Sequence, residues 1–386
     1  MKKTVLIDEL SVGMILTRVV ESSSNLQVKS QGEIKSQRTI DNLKDRGVTK
    51  VEIKVREVCA NLTNREKSTP VIRSFDDQQK DLAAADALYS QARTVHTRFL
   101  TELRSGEAPN IDQVTNLTQD IIDSVFENQE ALSCLVMLKE RDENLAQNSL
   151  NCSILLSIFA VHLGMSQSEV EDITLAGLLM DIGMALLPAD VVKADYHSLT
   201  EADLNVFKTH VEIGLELIER YFDLPPLVED VIRHHHERID GSGYPKGESQ
   251  SSQAAQMASI VDTYNTLVSR DANGFAGNTQ AVLEQMQKEP GFDETLVNDF
   301  IEAIGLFPVG TLVQLKSNKL AIVVQSNNRS LLHPKVMAFY HIKNKHYIPI
   351  KIIDLKRKTD KISVAVRPEE FNINLPKFFR TAVMPG

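Results

Sequence analysis

The feature that most constrains the fold is a helical hydrophobic period through the middle of the chain, from about residue 76 to about residue 305. Apolar residues recur there at steps of three and four, which places them on one face of each helix. Two long stripes come first, separated by the break GEAPN. The helices expected after them lie at about 145–163, 168–185, 200–221, 226–237, 253–270, 278–288 and 293–304.

Both ends of the chain have a different pattern. Short β-branched runs near the N-terminus, such as VTKVEIKV, predict strands, and RTIDNLKDRG predicts one short helix that ends at Gly47. After GLFPVG, short apolar runs separated by polar turns predict a small antiparallel barrel or sheet. The fold class is therefore mainly α, with a central all-helical domain, a small N-terminal α/β module and a C-terminal β-barrel-like module.

These pattern changes predict four parts of the chain. They are a β-rich N-terminal module at 1–66, a helical connector at 76–141, a helical domain at 142–305 and a small β domain at 306–386.

The overall composition excludes several classes of partner. The formal net charge is −10 and tryptophan is absent, so we expect neither DNA nor RNA as a partner. No apolar run reaches 18 residues, so we expect no membrane insertion. The first residues form no apolar signal region, and the three cysteines show no CxxC spacing. We therefore expect a cytoplasmic protein with reduced thiols.

Four segments of the helical middle carry side chains suited to binding a metal. LAGLLMDIG and SIVDTYNTL each place one acid, Asp181 or Asp262, in an apolar run, where an unpaired carboxylate is costly. FKTHVEIG places His210 on an amphipathic helix. RHHHERIDGSGYP ends another helix with histidines at 234–236, and the turn after it lets adjacent histidines reach one centre. A mixed nitrogen and oxygen ligand set suits Fe, Mn, Zn or Ni better than Mg or Ca.

The segment HHERIDGSGYP resembles the signature of the HD-GYP family, bacterial phosphohydrolases that open cyclic di-GMP with two or three metal ions. The order of motifs also matches: an HD-type segment, a single histidine, the HHExxDGxGYP motif and an Asp-bearing helix. The likeness is sharpest over 142–271. It implies an HD-type helical domain, divalent transition metals and a cyclic dinucleotide as ligand.

The resemblance implies two metal positions that share Asp181, the bridging ligand of an active enzyme. One position would use Asp181, His210, His235 and His236, and all four are present. The other would use Asp181 and Asp262 with two further histidines. His234 is then an extra histidine, which we expect to be a helix-end residue.

Three positions depart from the family pattern. The HD motif is usually HDIGK, and this chain has MDIGM, so Met180 replaces a metal-binding histidine and Met184 a phosphate-contacting lysine. Asn148 stands where the upstream histidine is expected. Only two oxygen ligands, from Asp181 and Asp262, remain at the second position. We therefore expect one bound ion and impaired hydrolysis, because paired metals normally activate the water and clamp the phosphodiester.

Basic residues and the GYP turn supply the remaining candidates for binding. The basic residues nearest in sequence to these motifs are candidates for pairing with a substrate phosphate: Lys208, Arg233, Arg238 and Lys246. The family's GYP loop is implicated in contacts with signalling domains, which here makes a partner surface of Gly241, Gly243, Tyr244 and Pro245. The plainer interpretations are solvated surface charges and a tight turn.

Three functions stay open on these residues. The first is a cyclic di-GMP signalling protein with a degenerate HD-GYP domain that binds and regulates, with weak or no hydrolysis. The second is an active metal-dependent phosphodiesterase in which Asp262 and Asn148 help a second, loosely held ion. The third is an interaction protein in which a metal only braces the helices. The long helices at 76–141 also offer a surface for a second copy of the chain.

Overall fold

The computed structural model describes residues 2–7, 15–22, 32–33, 43–44, 48–54, 75–137, 144–194, 198–269, 278–327, 330–357, 360–371, 373–375 and 377–378. The chain divides into two units, Met1–Ile72 and Arg73–Gly386. The structure does not test the finer four-part division, which stays a prediction.

The first unit contains a four-stranded antiparallel sheet. Its strands are β1 (Lys2–Leu6), β2 (Ile15–Ser22), β3 (Gly32–Glu33) and β4 (Val48–Lys54), in the order β1-β4-β2-β3. Val51 on the central strand β4 is fully buried. Of the helix predicted at 38–47, only residues 43 and 44 are described, as helical, and the rest lies outside the described residues.

The second unit begins with two long helices that follow the predicted apolar stripes. They are α1 (Phe75–Arg104) and α2 (Ile111–Met137). Asn128 interrupts α2 with an extended conformation, and its side-chain amide donates to Asp81 at 2.8 Å. His96 on α1 has no exposed surface and stacks on Phe99 with ring centroids 5.9 Å apart. This histidine therefore packs in the core.

Two helices in close contact form the centre of the helical domain. They are α3 (Leu145–His162), capped by Asn144, and α4 (Gln167–Leu179), which starts with a capping box from Ser166. A side chain at Gly177 would bring a carbon to 2.6 Å from the Ser153 Cα, so only glycine permits this approach.

Two of the expected helices are interrupted, one near Asp181 and the other just before His210. The helix expected at 168–185 ends at Leu179 and is followed by a 3₁₀ turn, Ile182–Leu186, and the short α5 (Ala189–Lys193). The helix expected at 200–221 is two helices, α6 (Glu201–Lys208) and α7 (His210–Tyr221). The Thr209 hydroxyl bonds the Val206 carbonyl at the break, which ends α6.

The remaining helices complete the bundle. They are α8 (Pro226–His234), α9 (Gln253–Ser269), α10 (Thr279–Met286) and α11 (Glu294–Ile304). Proline opens α8, where its missing N–H costs nothing. No helix in the described part of the chain is both long enough and apolar enough to span a bilayer.

The C-terminal strands form an open five-stranded antiparallel sheet. The strands are β5 (Leu312–Leu315), β6 (Lys319–Gln325), β7 (Lys335–His341), β8 (His346–Asp354) and β9 (Ile362–Ala365), in the order β8-β7-β6-β5-β9. The expected barrel-like closure is therefore wrong: β8 and β9 are edges with no pairing between them in the described residues. The sheet joins the helical core, since Ser326 bonds Glu130 on α2 at 2.7 Å.

Candidate metal centre

Four side chains from three segments meet in the helical domain. Asp181 lies between α4 and the 3₁₀ turn, His210 opens α7, and His235 and His236 follow the end of α8. One ligand atom from each lies within 4.8 Å of the others, and no second group of three or more His, Cys, Asp or Glu is found in the described residues. These are the four residues that the family resemblance assigns to one metal position.

The spacing of these atoms fits a four-coordinate metal ion. His210 Nε2 lies 3.2 Å from His236 Nε2 and 3.5 Å from His235 Nε2. The Nε2 atoms of His210 and His235 each lie 3.6 Å from Asp181 Oδ1. Four tetrahedral ligands at about 2.1 Å from an ion are about 3.4 Å apart. Asp181 Oδ1 is also buried without a hydrogen-bond partner in the described structure. A bound cation would supply the missing partner for this oxygen.

Backbone carbonyls orient two of the three histidines. His210 Nδ1 lies 2.7 Å from the Phe207 carbonyl, and His235 Nδ1 lies 3.0 Å from the Ile232 carbonyl. A proton on Nδ1 leaves the Nε2 lone pair directed at the centre of the group, which is how ligand histidines are commonly fixed.

At three of the four residues the electrostatics favour the protonation state that a divalent cation requires. Burial lowers the pKa of His210 to about 4, against the charge of Asp181. Burial and the charges of the other two histidines hold the pKa of His236 well below its usual range. Burial also opposes charge on His235 and Asp181, but their mutual contact outweighs it, so the pKa of His235 is raised and that of Asp181 is lowered. Neutral His210 and His236 beside the ionised Asp181 are ready to bind a metal, whereas an ion must displace a proton from His235 where that imidazole is charged.

Asp262 lies beside this group and outside it. Its Oδ2 is 3.8 Å from His236 Nδ1, beyond hydrogen-bond reach. Burial and the negative charge of Asp181 raise the pKa of Asp262 to about 7. Asp262 is the carboxylate that the family resemblance assigns to a second ion, which stays a prediction.

Amide and sulfur groups stand at the residues that replace the expected ligands and lysine. Asn148 Oδ1 accepts a bond from Asn265 Nδ2 at 3.3 Å, and the same amide lies 3.6 Å from Cys152 Sγ. Met180 is fully buried and Met184 is half-buried. Neutral amides and thioethers are poor substitutes for imidazole at a site for Fe, Mn or Ni.

The four basic candidates differ in how free their charges are. Lys208 ends α6, with Nζ 5.2 Å from the centre of the Tyr244 ring. Arg233 pairs with Glu229 at 2.6 Å. Lys246 is exposed and lies 3.2 Å from Glu248.

The guanidinium of Arg238 is occupied inside the protein. It donates to the hydroxyls of Ser259 and Thr263 on α9, and it lies 4.7 Å from the centre of the Phe292 ring. These contacts fix the GYP loop to α9, so the structure gives Arg238 a packing role in place of direct access to a ligand.

Glu237 is a functional position that the sequence analysis did not single out. Its carboxylate is 2% exposed and accepts the backbone N–H groups of Lys246 at 2.8 Å and Glu248 at 2.9 Å. Gly241, at φ +75°, and the exposed Pro245 lie in the loop that this carboxylate closes. The glutamate of the HHE motif was visible in the sequence, but its role depends on backbone atoms that come close only after folding.

His234 and Asn265 are not part of the metal group. His234 ends α8 and bonds the side chain of Asp230 at 2.9 Å, outside the metal group, as expected for a helix-end residue. Asn265 follows Asp262 by three positions on α9, so the two share a helix face. That spacing was the available sequence signal for Asn265.

Comparison with known proteins agrees with this geometry. An HD domain matches residues 133–296, and a domain of unknown function, DUF3391, matches residues 2–114. A cyclic di-GMP phosphodiesterase of Pseudomonas aeruginosa is 32% identical over 297 residues, which cover 76% of this chain and 71% of that protein. The chain belongs to the HD-GYP family.

A further relative matches over less of its length. The cyclic di-GMP phosphodiesterase response regulator RpfG of Xanthomonas campestris is 31% identical over 52% of this chain and 55% of its own length. A solved HDG"Y"P protein from Bdellovibrio bacteriovorus aligns with 78% of this chain and 98% of its own, at 16% identity and a TM-score of 0.49.

Proposed function

We propose that this HD-GYP protein is a cyclic di-GMP signalling protein that binds one divalent transition metal and the nucleotide, with weak or no hydrolysis. The observation that carries the proposal is the single four-ligand group formed by Asp181, His210, His235 and His236 in the described residues. When bound, the ion supplies a positive charge for a phosphate oxygen and lowers the pKa of a coordinated water.

The low rate follows from what stands at the second position. Two metals hold the attacking and leaving oxygens of a phosphodiester together, and Asn148 and Met180 remove two ligands from one of them. Met184 also removes a cation that would stabilise the developing phosphate charge. Losing one such electrostatic contact typically costs about a hundredfold or more in rate.

Binding of the nucleotide would use the metal-facing side of the GYP loop. Lys208 lies beside Tyr244 and pairs with no carboxylate in the described structure, so its ammonium is the best placed of the four basic candidates for a phosphate. Arg233 and Lys246 already pair with acids. The exposed part of the loop, with Gly241 and Pro245, would remain available to a signalling-domain partner.

A working phosphodiesterase is the second candidate. The intact ligand group supports it, as does the fact that the relatives at 31–32% identity are named cyclic di-GMP phosphodiesterases. In that case Asp181 and Asp262 would hold a second, loosely bound ion through oxygen alone.

The test measures metal content, nucleotide affinity and turnover on the same preparation. Protein loaded with Mn²⁺ or Fe²⁺ is assayed for bound metal, for cyclic di-GMP binding by calorimetry and for linear product. His235→Ala removes a ligand. His234→Ala is the matched control, because the adjacent His234 imidazole lies outside the metal group.

The proposal expects one equivalent of metal, measurable cyclic di-GMP binding and no product above that of His235→Ala. Linear product that disappears in His235→Ala and persists in His234→Ala would establish the phosphodiesterase instead. A His235→Ala variant that fails to fold while His234→Ala folds would support a metal that only braces the helices.

A further inference from the structure

The tyrosine of the GYP loop lies against a metal-ligand candidate. The rings of Tyr244 and His236 are stacked, with centroids 4.4 Å apart and planes 21° from parallel. His210 meets the same tyrosine edge-on, with centroids 6.3 Å apart and planes at 84°. The signature aromatic residue is therefore part of the wall of the centre as well as part of a turn.

His236 differs from the other two histidines in how its ring is held. His210 and His235 each direct Nδ1 at a backbone carbonyl, at 2.7 Å and 3.0 Å. The Nδ1 of His236 lies 3.8 Å from Asp262 Oδ2, beyond hydrogen-bond reach. No hydrogen bond recorded in the described structure fixes the rotation of this imidazole from its outer nitrogen, whereas the face of the Tyr244 ring limits it directly.

The loop that presents Tyr244 is tightly fixed to the same segment. The Tyr244 N–H donates to the His236 carbonyl at 3.1 Å. A Cβ at Gly243 would lie 2.5 Å from the His236 carbonyl oxygen and as near to the backbone of the next two residues, so the loop lies directly on this backbone. The Glu237 carboxylate closes the far side through two backbone N–H groups. The ring position is therefore set by the fold.

We propose that Tyr244 is a positioning residue of the metal centre, whose ring sets the plane of the His236 imidazole and so directs Nε2 at the ion. The inference rests on the proposed metal binding. It gives the GYP turn a reason to persist in a chain that has lost other catalytic positions. It also means that a partner or nucleotide that moves the half-exposed loop changes the affinity for the metal.

The experiment measures Co²⁺ binding to the full-length protein by its visible absorption and by competition with a chelating dye. Tyr244→Phe keeps the ring and removes the hydroxyl. Tyr244→Leu and Tyr244→Met remove the ring at similar volume, and two such variants are made so that a folding failure in one leaves the other. Far-ultraviolet circular dichroism confirms the fold of each variant before cobalt is added.

We expect Tyr244→Phe to bind cobalt within about twofold of the wild type, and the ring-less variants to lose about tenfold or more, the usual effect of a residue that orients a ligand. Their cobalt absorption bands should also shift, since the geometry at His236 changes. Unchanged affinity and spectrum in folded Tyr244→Leu or Tyr244→Met would overturn this inference alone. A wild-type protein that binds no cobalt would overturn the proposed function and the inference together.

Discussion

At the scale of single residues, two side chains decide how many ions the centre is expected to hold. Asn148 and Met180 occupy the sequence positions where the family resemblance places histidines. We expect the double variant Asn148→His, Met180→His to raise bound Mn²⁺ from about one equivalent towards about two, because it completes a second N/O ligand set. Elemental analysis after dialysis measures this.

The single variant Met180→His is the control for that experiment, since three ligands without the upstream histidine should hold the second ion weakly. Cyclic di-GMP hydrolysis should rise with the second equivalent, because the clamp on the phosphodiester is restored. One equivalent of metal in a folded double variant would contradict the explanation based on lost ligands.

His96 gives a residue-scale prediction about pH. Burial lowers its pKa to about 4 from 6.5, and neither ring nitrogen has a hydrogen-bond partner in the described structure. Between pH 6.5 and pH 4 the unfolded chain binds a proton at His96 that the folded chain does not bind. The free energy of unfolding therefore keeps its full value above pH 6.5 and decreases as the pH falls from 6.5 to 4. The loss approaches about 3 kcal/mol near the lower end.

The variant His96→Phe keeps the stack on Phe99 and removes the titration. Urea unfolding at pH 7.5 and at pH 4.5 should show its advantage over the wild type growing as the pH falls. The difference between the two proteins at pH 7.5 reports the change in packing. An advantage that is no larger at pH 4.5 would show that the fold does not lower the pKa of His96.

The histidines and acids in apolar helical runs suggested the candidate ligands, and the family resemblance assigned four of them to one metal position. Asp181, His210, His235 and His236 converge as expected. The role of Glu237 could not be predicted, because its carboxylate accepts hydrogen bonds from backbone N–H groups nine and eleven positions further along the chain. The stack of Tyr244 on His236 likewise depends on the path of the loop, which the letters GYP alone do not specify.

At the scale of secondary-structure elements, the contact between the 3₁₀ turn and α7 holds two ligands in place. Gly183 faces Gly214, and a Cβ at Gly183 would overlap the His210 carbonyl and lie 2.7 Å from the Gly214 nitrogen. A Cβ at Gly214 would meet nothing closer than 3.4 Å. Substitution by alanine should therefore be costly at Gly183 and tolerated at Gly214, which makes the two glycines a matched pair.

We expect Gly183→Ala to cost about 3 kcal/mol or more and to weaken metal binding, because α7 must move away from Asp181. Gly214→Ala should stay within about 1 kcal/mol of the wild type, since alanine is the better helix former. Denaturant unfolding and Mn²⁺ affinity of both variants measure this. Equal losses in the two would contradict a steric explanation.

Helix positions followed from apolar periodicity, and the two misjudged boundaries have a common cause. The helices expected at 168–185 and 200–221 both break next to a ligand, at Asp181 and at His210. At the first break the apolar pattern continues because Ile182 and Ala185 remain buried, whereas at the second Phe207 is half-buried and Val211 is buried. A hydrophobic period reports burial and cannot distinguish an α-helix from a 3₁₀ turn over so few residues.

At the scale of the whole molecule, the helical domain and the C-terminal sheet share one hydrophobic core. Buried residues form a continuous cluster from Leu82 to Leu375, and the Asn278 side chain on the helical side donates to the Ala365 carbonyl of β9 at 2.8 Å. The sequence predicted separate modules because the period changes near residue 305, but a change of period does not show whether two elements bury each other.

This shared core predicts different results from removing the two ends of the chain. The unit Met1–Ile72 is compact by itself, whereas residues 306–386 belong to the unit that carries the metal group. We expect a chain starting at Arg73 to keep its Mn²⁺ affinity within about twofold and to unfold in one cooperative transition. Deleting residues 306–386 should expose the buried faces of α2 and α11, and the product should aggregate or lose cooperative unfolding and metal binding together. Calorimetry and metal titration of both truncations measure this. A metal-binding, cooperatively folded protein without residues 306–386 would show that the sheet is an accessory domain and that the helical domain is stable without it.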